Sequence, residues 1–143
     1  MHLAQFNISW LRQPIDHPDL APFVAAYDRV LAEASAAPGF VWRHTESTSV
    51  PRARLFGRDA IVNLSVWTGP DELAAFVRAG THLEVMRQRQ QFFRAHEGPS
   101  LVLWWIEEGT RPTLAHAADR LSLLGEEGPG PDAFTFGGIR GPG

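Results

Sequence analysis

Ala60-Ile61-Val62-Asn63-Leu64-Ser65-Val66-Trp67-Thr68, followed at once by Gly69-Pro70-Asp71-Glu72, reads as a strand running into a helix start. Proline at the first helical position and acids in the first turn mark the helix. Along the strand, Val62, Leu64 and Val66 share one face, while Asn63, Ser65 and Trp67 share the other. The first segment of the chain, residues 2–9, repeats the pattern with Ala4, Phe6 and Ile8 set against Gln5 and Asn7.

The elements on either side follow from the same kind of signal. After a turn-like stretch from Gln13 to Pro18 comes a helix whose apolar positions are Leu20, Phe23, Val24, Tyr27, Val30, Leu31 and Ala34, all on one face. Pro18 suits its first turn, and Pro38-Gly39 ends it. Phe40 to Glu46 is rich in aromatic and β-branched residues and reads as a strand. A polar connection over residues 47–59 carries Arg52, Arg54 and Arg58, read as a solvated loop. The helix opened by Pro70 runs through Leu73, Phe76 and Val77 to Gly80, and Thr81-His82-Leu83-Glu84 has the spacing of a capping box for a second helical segment. Leu101 to Glu107 is a fourth strand with Trp104-Trp105, and residues 113–124 form a last helix with Leu114, Ala117, Leu121 and Leu124 on one side.

Strand, helix, strand, strand, helix, strand is the split βαβ order, so the predicted class is α+β, ferredoxin-like, with an additional C-terminal helix. Residues 1–136 make one domain, and residues 137–143 read as a disordered tail. Connection rules place the first and third strands at the centre of the sheet and the second and fourth at its edges. Central parallel strands are normally buried on both faces and read as continuous apolar runs. Here one face is aliphatic, and the other carries amides, a hydroxyl and an indole. The expectation is that the helices cover the aliphatic face and leave the amide face open. Two registers exist for the second strand, one turning Trp42 and His44 to the amide face and the other Val41 and Arg43. The fourth strand presents there either Leu101, Leu103 and Trp105 or Val102, Trp104 and Ile106. Tryptophans in water would make a large exposed patch, so a homodimer through the open sheet face is expected, enclosing a mixed polar and aromatic cavity.

Composition narrows the chemistry. The 143 residues, 44% of them apolar and 20% charged, suit one soluble domain. No apolar run approaches the ~20 residues that span a bilayer, and the first residues lack a signal-peptide pattern, so a cytoplasmic protein with no membrane partner is expected. Without cysteine there is no disulfide, thiolate nucleophile or iron–sulfur cluster. All thirteen cations are arginines, which removes Schiff-base lysines and a Walker lysine. A net charge of −3 argues against a nucleic-acid partner. His2, His17, His96 and His116 have no partners at ligand spacing, so no metal site is expected from them.

His82 is the leading candidate for chemistry. At a helix start the partial positive charge disfavours imidazolium, leaving a neutral ring able to act as a base or to bind iron. Asn7, Asn63, Gln5 and Ser65 could hydrogen-bond a carbonyl or enolate held over the sheet. Trp67, Trp42 and Trp105 are candidates to line the same cavity, and His44 a second histidine within it.

Ile61 to Trp67 with Pro70 to Phe76 and Thr81-His82 resembles the dimeric α/β-barrel superfamily that includes the antibiotic-biosynthesis monooxygenases. Within it, the segment His82 to Phe93, Leu103-Trp104-Trp105-Ile106, Gly109-Thr110-Arg111-Pro112-Thr113 and Phe134-Thr135-Phe136 are similar to one bacterial family without an assigned function. The resemblance implies a small enzyme acting on an aromatic or polyketide-like compound in bacterial specialised metabolism, without metal or flavin. It would deprotonate a carbon acid, hold the anion with amide donors, and let oxygen attack or rearrangement follow. His82 and Asn7 would be catalytic; Gln5, Asn63, Ser65, Trp67, Trp42, His44 and Trp105 would bind substrate. A second implication is haem: haem-degrading members pair a first-strand asparagine with a tryptophan and an iron-binding histidine. Asn7 matches, but Phe76 stands where the tryptophan belongs and His82 is displaced. A third reading is a non-catalytic small-molecule-binding module.

Overall fold

The computed structural model describes residues 1–45, 55–139 and 141. Four strands, β1 (His2–Trp10), β2 (Phe40–Arg43), β3 (Ala60–Trp67) and β4 (Leu101–Ile106), form one sheet in the order β2-β3-β1-β4. Helix α1 (Ala21–Ala36), preceded by a 3-10 turn over Pro18–Leu20, joins β1 to β2. Three short helices, α2 (Pro70–Val77), α3 (Gly80–Arg87) and α4 (Arg89–Phe92), join β3 to β4, and α5 (Leu114–Glu127) follows β4. The split βαβ order and the central place of β1 and β3 are as the sequence predicts. Among the described residues no helix is long and apolar enough to cross a membrane.

The central pair is antiparallel, with Gln5 opposite Ser65 and Asn7 opposite Asn63. This corrects the parallel reading, and the reason is topological. The crossover through α1 makes β1 and β2 run the same way with a gap between them, and β3 returns into that gap in the opposite sense. An antiparallel sheet commonly has one apolar and one polar face. The alternation therefore reports ordinary strand chemistry, and it does not say which face the helices take.

Each face is covered from within the chain, in the reverse of the expected sense. The aliphatic face, with Phe6, Ile8, Leu64, Val66 and Trp104, packs against Leu114, Ala117 and Leu124 of α5. The opposite face packs Leu3, Trp67 and Leu103 against Ala34 of α1 and Leu73 of α2. The amide face is thus a sheet–helix interior, and a homodimer through an open amide face is not an arrangement this fold presents. The stripe on α5 explains the outcome: it needs an apolar surface, and the aliphatic face supplies one.

Local details set the site's frame. Gly39 sits in a left-handed conformation after α1 (φ 84°), and a Cβ there would lie 2.5 Å from the Glu72 side chain, so α2 can seat closely on the start of β2. Phe134 exchanges two backbone hydrogen bonds with Leu103 (2.8 and 2.9 Å), closing the free edge of β4 within the same subunit. Phe136–Gly138 form a 3-10 turn; residues 140, 142 and 143 lie outside the described residues, as do Arg52 and Arg54.

Candidate functional site

Six of the residues singled out from the sequence line one small cavity between sheet and helices: Gln5 and Asn7 from β1, Asn63, Ser65 and Trp67 from β3, and His82 from α3. Val30, Leu31 and Ala34 of α1 and Leu73, Phe76 and Val77 of α2 supply its apolar roof. Its volume is about 40 Å³. On that measure one water needs about 10–15 Å³, so the space suits a small functional group rather than a whole substrate.

The polar floor is a chain of hydrogen bonds. Gln5 Nε2 donates to Ser65 Oγ at 2.8 Å, and Trp67 Nε1 donates to the same hydroxyl at 2.9 Å. Asn7 Nδ2 donates to Gln5 Oε1 at 3.1 Å. The Tyr27 hydroxyl reaches Asn63 Oδ1 at 3.5 Å, long for a hydrogen bond. These contacts keep buried Gln5 and Ser65 from the cost, about 1–3 kcal/mol each, of an unmet polar group. Asn63 Nδ2 and Asn7 Oδ1 have no hydrogen-bond partner among the described residues, so one donor and one acceptor stay available beside the cavity.

His82 is held by its backbone neighbour. Its Nδ1 lies 3.0 Å from the Val77 carbonyl oxygen. A carbonyl only accepts, so Nδ1 carries the proton, and in the neutral ring Nε2 is left as a lone-pair acceptor. Burial pushes the ring's pKa below the ordinary histidine value of 6.5, against a smaller upward pull from the Val77 carbonyl. The capping box expected around it does not form. Helix α3 begins at Gly80, and Thr81 turns instead to Glu33 of α1, its Oγ1 donating at 2.8 Å and its backbone N–H at 3.2 Å. A carboxylate 48 residues away therefore caps the helix and ties it to α1, and His82 sits at the third helical position rather than the first.

Three expected lining residues lie elsewhere. A bulge in β2 sets Phe40 opposite Trp67 but Trp42 opposite Val66, so Trp42 packs on the aliphatic side. Trp105 shares the amide face but lies toward the far edge, against Phe134 (ring centroids 6.4 Å apart). His44 lines a neighbouring groove of about 350 Å³ with Phe23, Tyr27 and Arg43. Two residues of interest carried weaker sequence signals: Tyr27, a core position in the α1 stripe, and Arg43, whose orientation depended on the β2 register.

A haem does not fit these residues. Phe76 packs on both Trp67 and His82, with ring centroids at 5.3 and 5.4 Å, and the cavity the histidine lines, about 40 Å³, is far too small for a macrocycle. Among the described residues no group of three His, Asp or Glu is placed to hold a metal ion.

The family model described as a domain of unknown function, DUF3291, matches residues 2–141. No curated protein matches the chain. Among solved structures, a Nitrosomonas europaea protein assigned provisionally as an antibiotic biosynthesis monooxygenase aligns at 10% identity over 77% of this chain and 94% of its own, with a TM-score of 0.54. A protein of unknown function from the same organism aligns at 13% identity over 78% and 95%, also with a TM-score of 0.54. SnoaB, a cofactor-independent oxygenase from Streptomyces nogalater, aligns at 18% identity over 78% and 98%, with a TM-score of 0.49. At these identities the likeness to the two Nitrosomonas europaea structures is one of fold alone.

Proposed function

We propose that this chain, which belongs to the DUF3291 family, is a small-molecule enzyme that removes a proton from a carbon acid, with His82 as base and the Asn63 amide as donor to the resulting anion. The observation that carries this reading is the fixed tautomer of His82. Its Nδ1–H is committed to Val77, and the same ring lines the cavity that holds the unengaged Asn63 Nδ2. In the step proposed, the C–H proton moves to Nε2 and the electron pair moves onto the neighbouring carbonyl oxygen. That oxygen then takes a hydrogen bond from Asn63 Nδ2. Asn7 and Gln5 hold the floor in register. The anion either recovers a proton at another carbon or passes electrons to dioxygen as co-substrate. Ring burial supports the base role, because a neutral imidazole is the reactive form.

Deuterium incorporation tests the step without fixing its outcome. Incubated in deuterated water with a panel of aromatic 1,3-dicarbonyl compounds, the protein is expected to catalyse C–H exchange for at least one of them, followed by proton NMR. Failure of every member to exchange faster than in buffer would remove the base assignment. The pH dependence has a defined sign. His82 in the fold binds its proton only below 6.5, so exchange persists at pH 6.5 and falls as pH drops through the folded value. The same depression makes the unfolded chain take up a proton first. This contribution to stability is therefore complete above 6.5 and is lost as pH falls toward the folded value. An acidic limb centred above 6.5 would contradict the assignment.

A further inference from the structure

We infer that Arg43 anchors an anionic ligand, a carboxylate on an apolar aromatic body, lying in the groove between α1 and the β2–β3 edge. This deepens the proposed function and rests on the reading of the amide cavity as a ligand site.

The bulge in β2 is the first observation. In a regular strand running on from Phe40 opposite Trp67, Trp42 would fall opposite Ser65 and Arg43 opposite Leu64. The bulge shifts this by one residue, so Trp42 turns to the aliphatic face and Arg43 stands opposite Ser65, on the amide side. Bulges that re-aim a side chain recur next to functional sites.

The second observation is the place Arg43 occupies. Together with Leu31 it lines both the amide cavity and the 350 Å³ groove, so the residue stands where the two meet. It is half-buried, and it makes no ion pair or hydrogen bond among the described residues. With no partner for its side chain among the described residues, the guanidinium has donors to offer a ligand anion.

The third is the groove's chemistry. Phe23, Val24, Ile61 and Val62 make most of its wall apolar, with Tyr27, His44 and Thr45 at its polar margin, and no carboxylate lines it among the described residues. One cation beside an apolar trough selects an amphiphilic monoanion, and a guanidinium fork matches a carboxylate in two parallel hydrogen bonds. With the body in the groove and the carboxylate on Arg43, a carbonyl adjoining it would enter the small cavity beside Asn63.

Calorimetric titration of the full chain with 2-naphthoate and its uncharged isostere 2-naphthamide tests the inference. Wild-type protein is expected to bind the naphthoate at least about tenfold more tightly, the scale of one charge-assisted hydrogen-bond pair. Arg43→Gln should abolish that preference and leave naphthamide binding unchanged. Arg43→Lys, which keeps the charge without the fork, should retain part of it. Arg94→Gln, in a separate arginine-lined depression, should retain all of it. Equal affinities in the wild type, no binding of naphthoate, or a preference that survives Arg43→Gln would each overturn the inference. Should Arg43→Gln not fold, an undiminished preference in Arg43→Lys overturns it in the same way. Asn63→Ala separates the two claims. If it leaves both affinities unchanged while Arg43→Gln removes the preference, Arg43 stands and the amide-cavity reading falls.

Discussion

Replacing His82 with glutamine is expected to slow solvent exchange of the responsive carbon acid by roughly 10²–10⁴-fold, the usual contribution of a positioned general base. Glutamine can still reach the Val77 carbonyl through its amide N–H, so the fold and the packing beside Phe76 should survive. It offers no nitrogen lone pair to accept the proton. The loss should fall on the maximal exchange rate more than on the half-saturating concentration, because the base acts in the transition state while the groove binds the body of the substrate. The acidic limb of the pH profile should disappear with the ring. Exchange within threefold of wild type, from a variant with unaltered circular dichroism, would assign the proton transfer elsewhere; the threefold margin is about 0.7 kcal/mol of barrier.

Trp67→Ala carries the largest expected cost in stability, about 3–5 kcal/mol, as for other buried aromatic truncations. The side chain is 1% exposed and stacks on Phe76, with Phe40 edge-on at 5.5 Å. Its loss also removes one of the two donors to Ser65 Oγ and opens the floor of the cavity. Chemical denaturation should register the cost as a lower midpoint with a nearly unchanged slope. Trp105→Ala at the partly exposed far edge of the same face is the control and should cost less. A Trp67→Ala effect below 1 kcal/mol, far under that of other buried aromatic truncations, would mean that this indole is not part of the packed core.

The order of elements was legible because each carries its own punctuation. Pro70 with Asp71 and Glu72 marks the start of a helix, and Pro38-Gly39 follows the end of one. The polar and apolar faces of β1 and β3 were equally legible, because side chains alternate strictly along a strand. Which face the helices would take was not. In α1 and α5 the apolar stripes are similar, and neither states its partner. Amides at Gln5, Asn7 and Asn63 can lie under helices because the Gln5–Ser65–Trp67 cluster satisfies its own members, and no single residue announces that compensation. The result moves the site from an interface between copies to the interior of one chain, while keeping six of its residues together.

One local reading failed, and the register of β2, left open between two alternatives, was settled by a feature the sequence does not show. A capping box at Thr81 requires its hydroxyl to turn back onto its own helix. Glu33 offers a charged acceptor from α1 and takes it instead. The register of β2 depended on a bulge, and a bulge shows in sequence only as an extra residue with no fixed identity. That one residue exchanged Trp42 for Arg43 on the amide side, replacing an aromatic wall with a cation.

Side-chain NMR during titration with 2-naphthoate addresses the central claim most directly, since it reports which layer of the molecule receives the ligand. The account predicts the largest shifts at the Asn63 and Asn7 side-chain amides and at the Trp67 indole N–H, with Ala117 on the α5 side unmoved. Shifts confined to the α5 layer, or bound ligand that leaves all three of those signals in place, would contradict it.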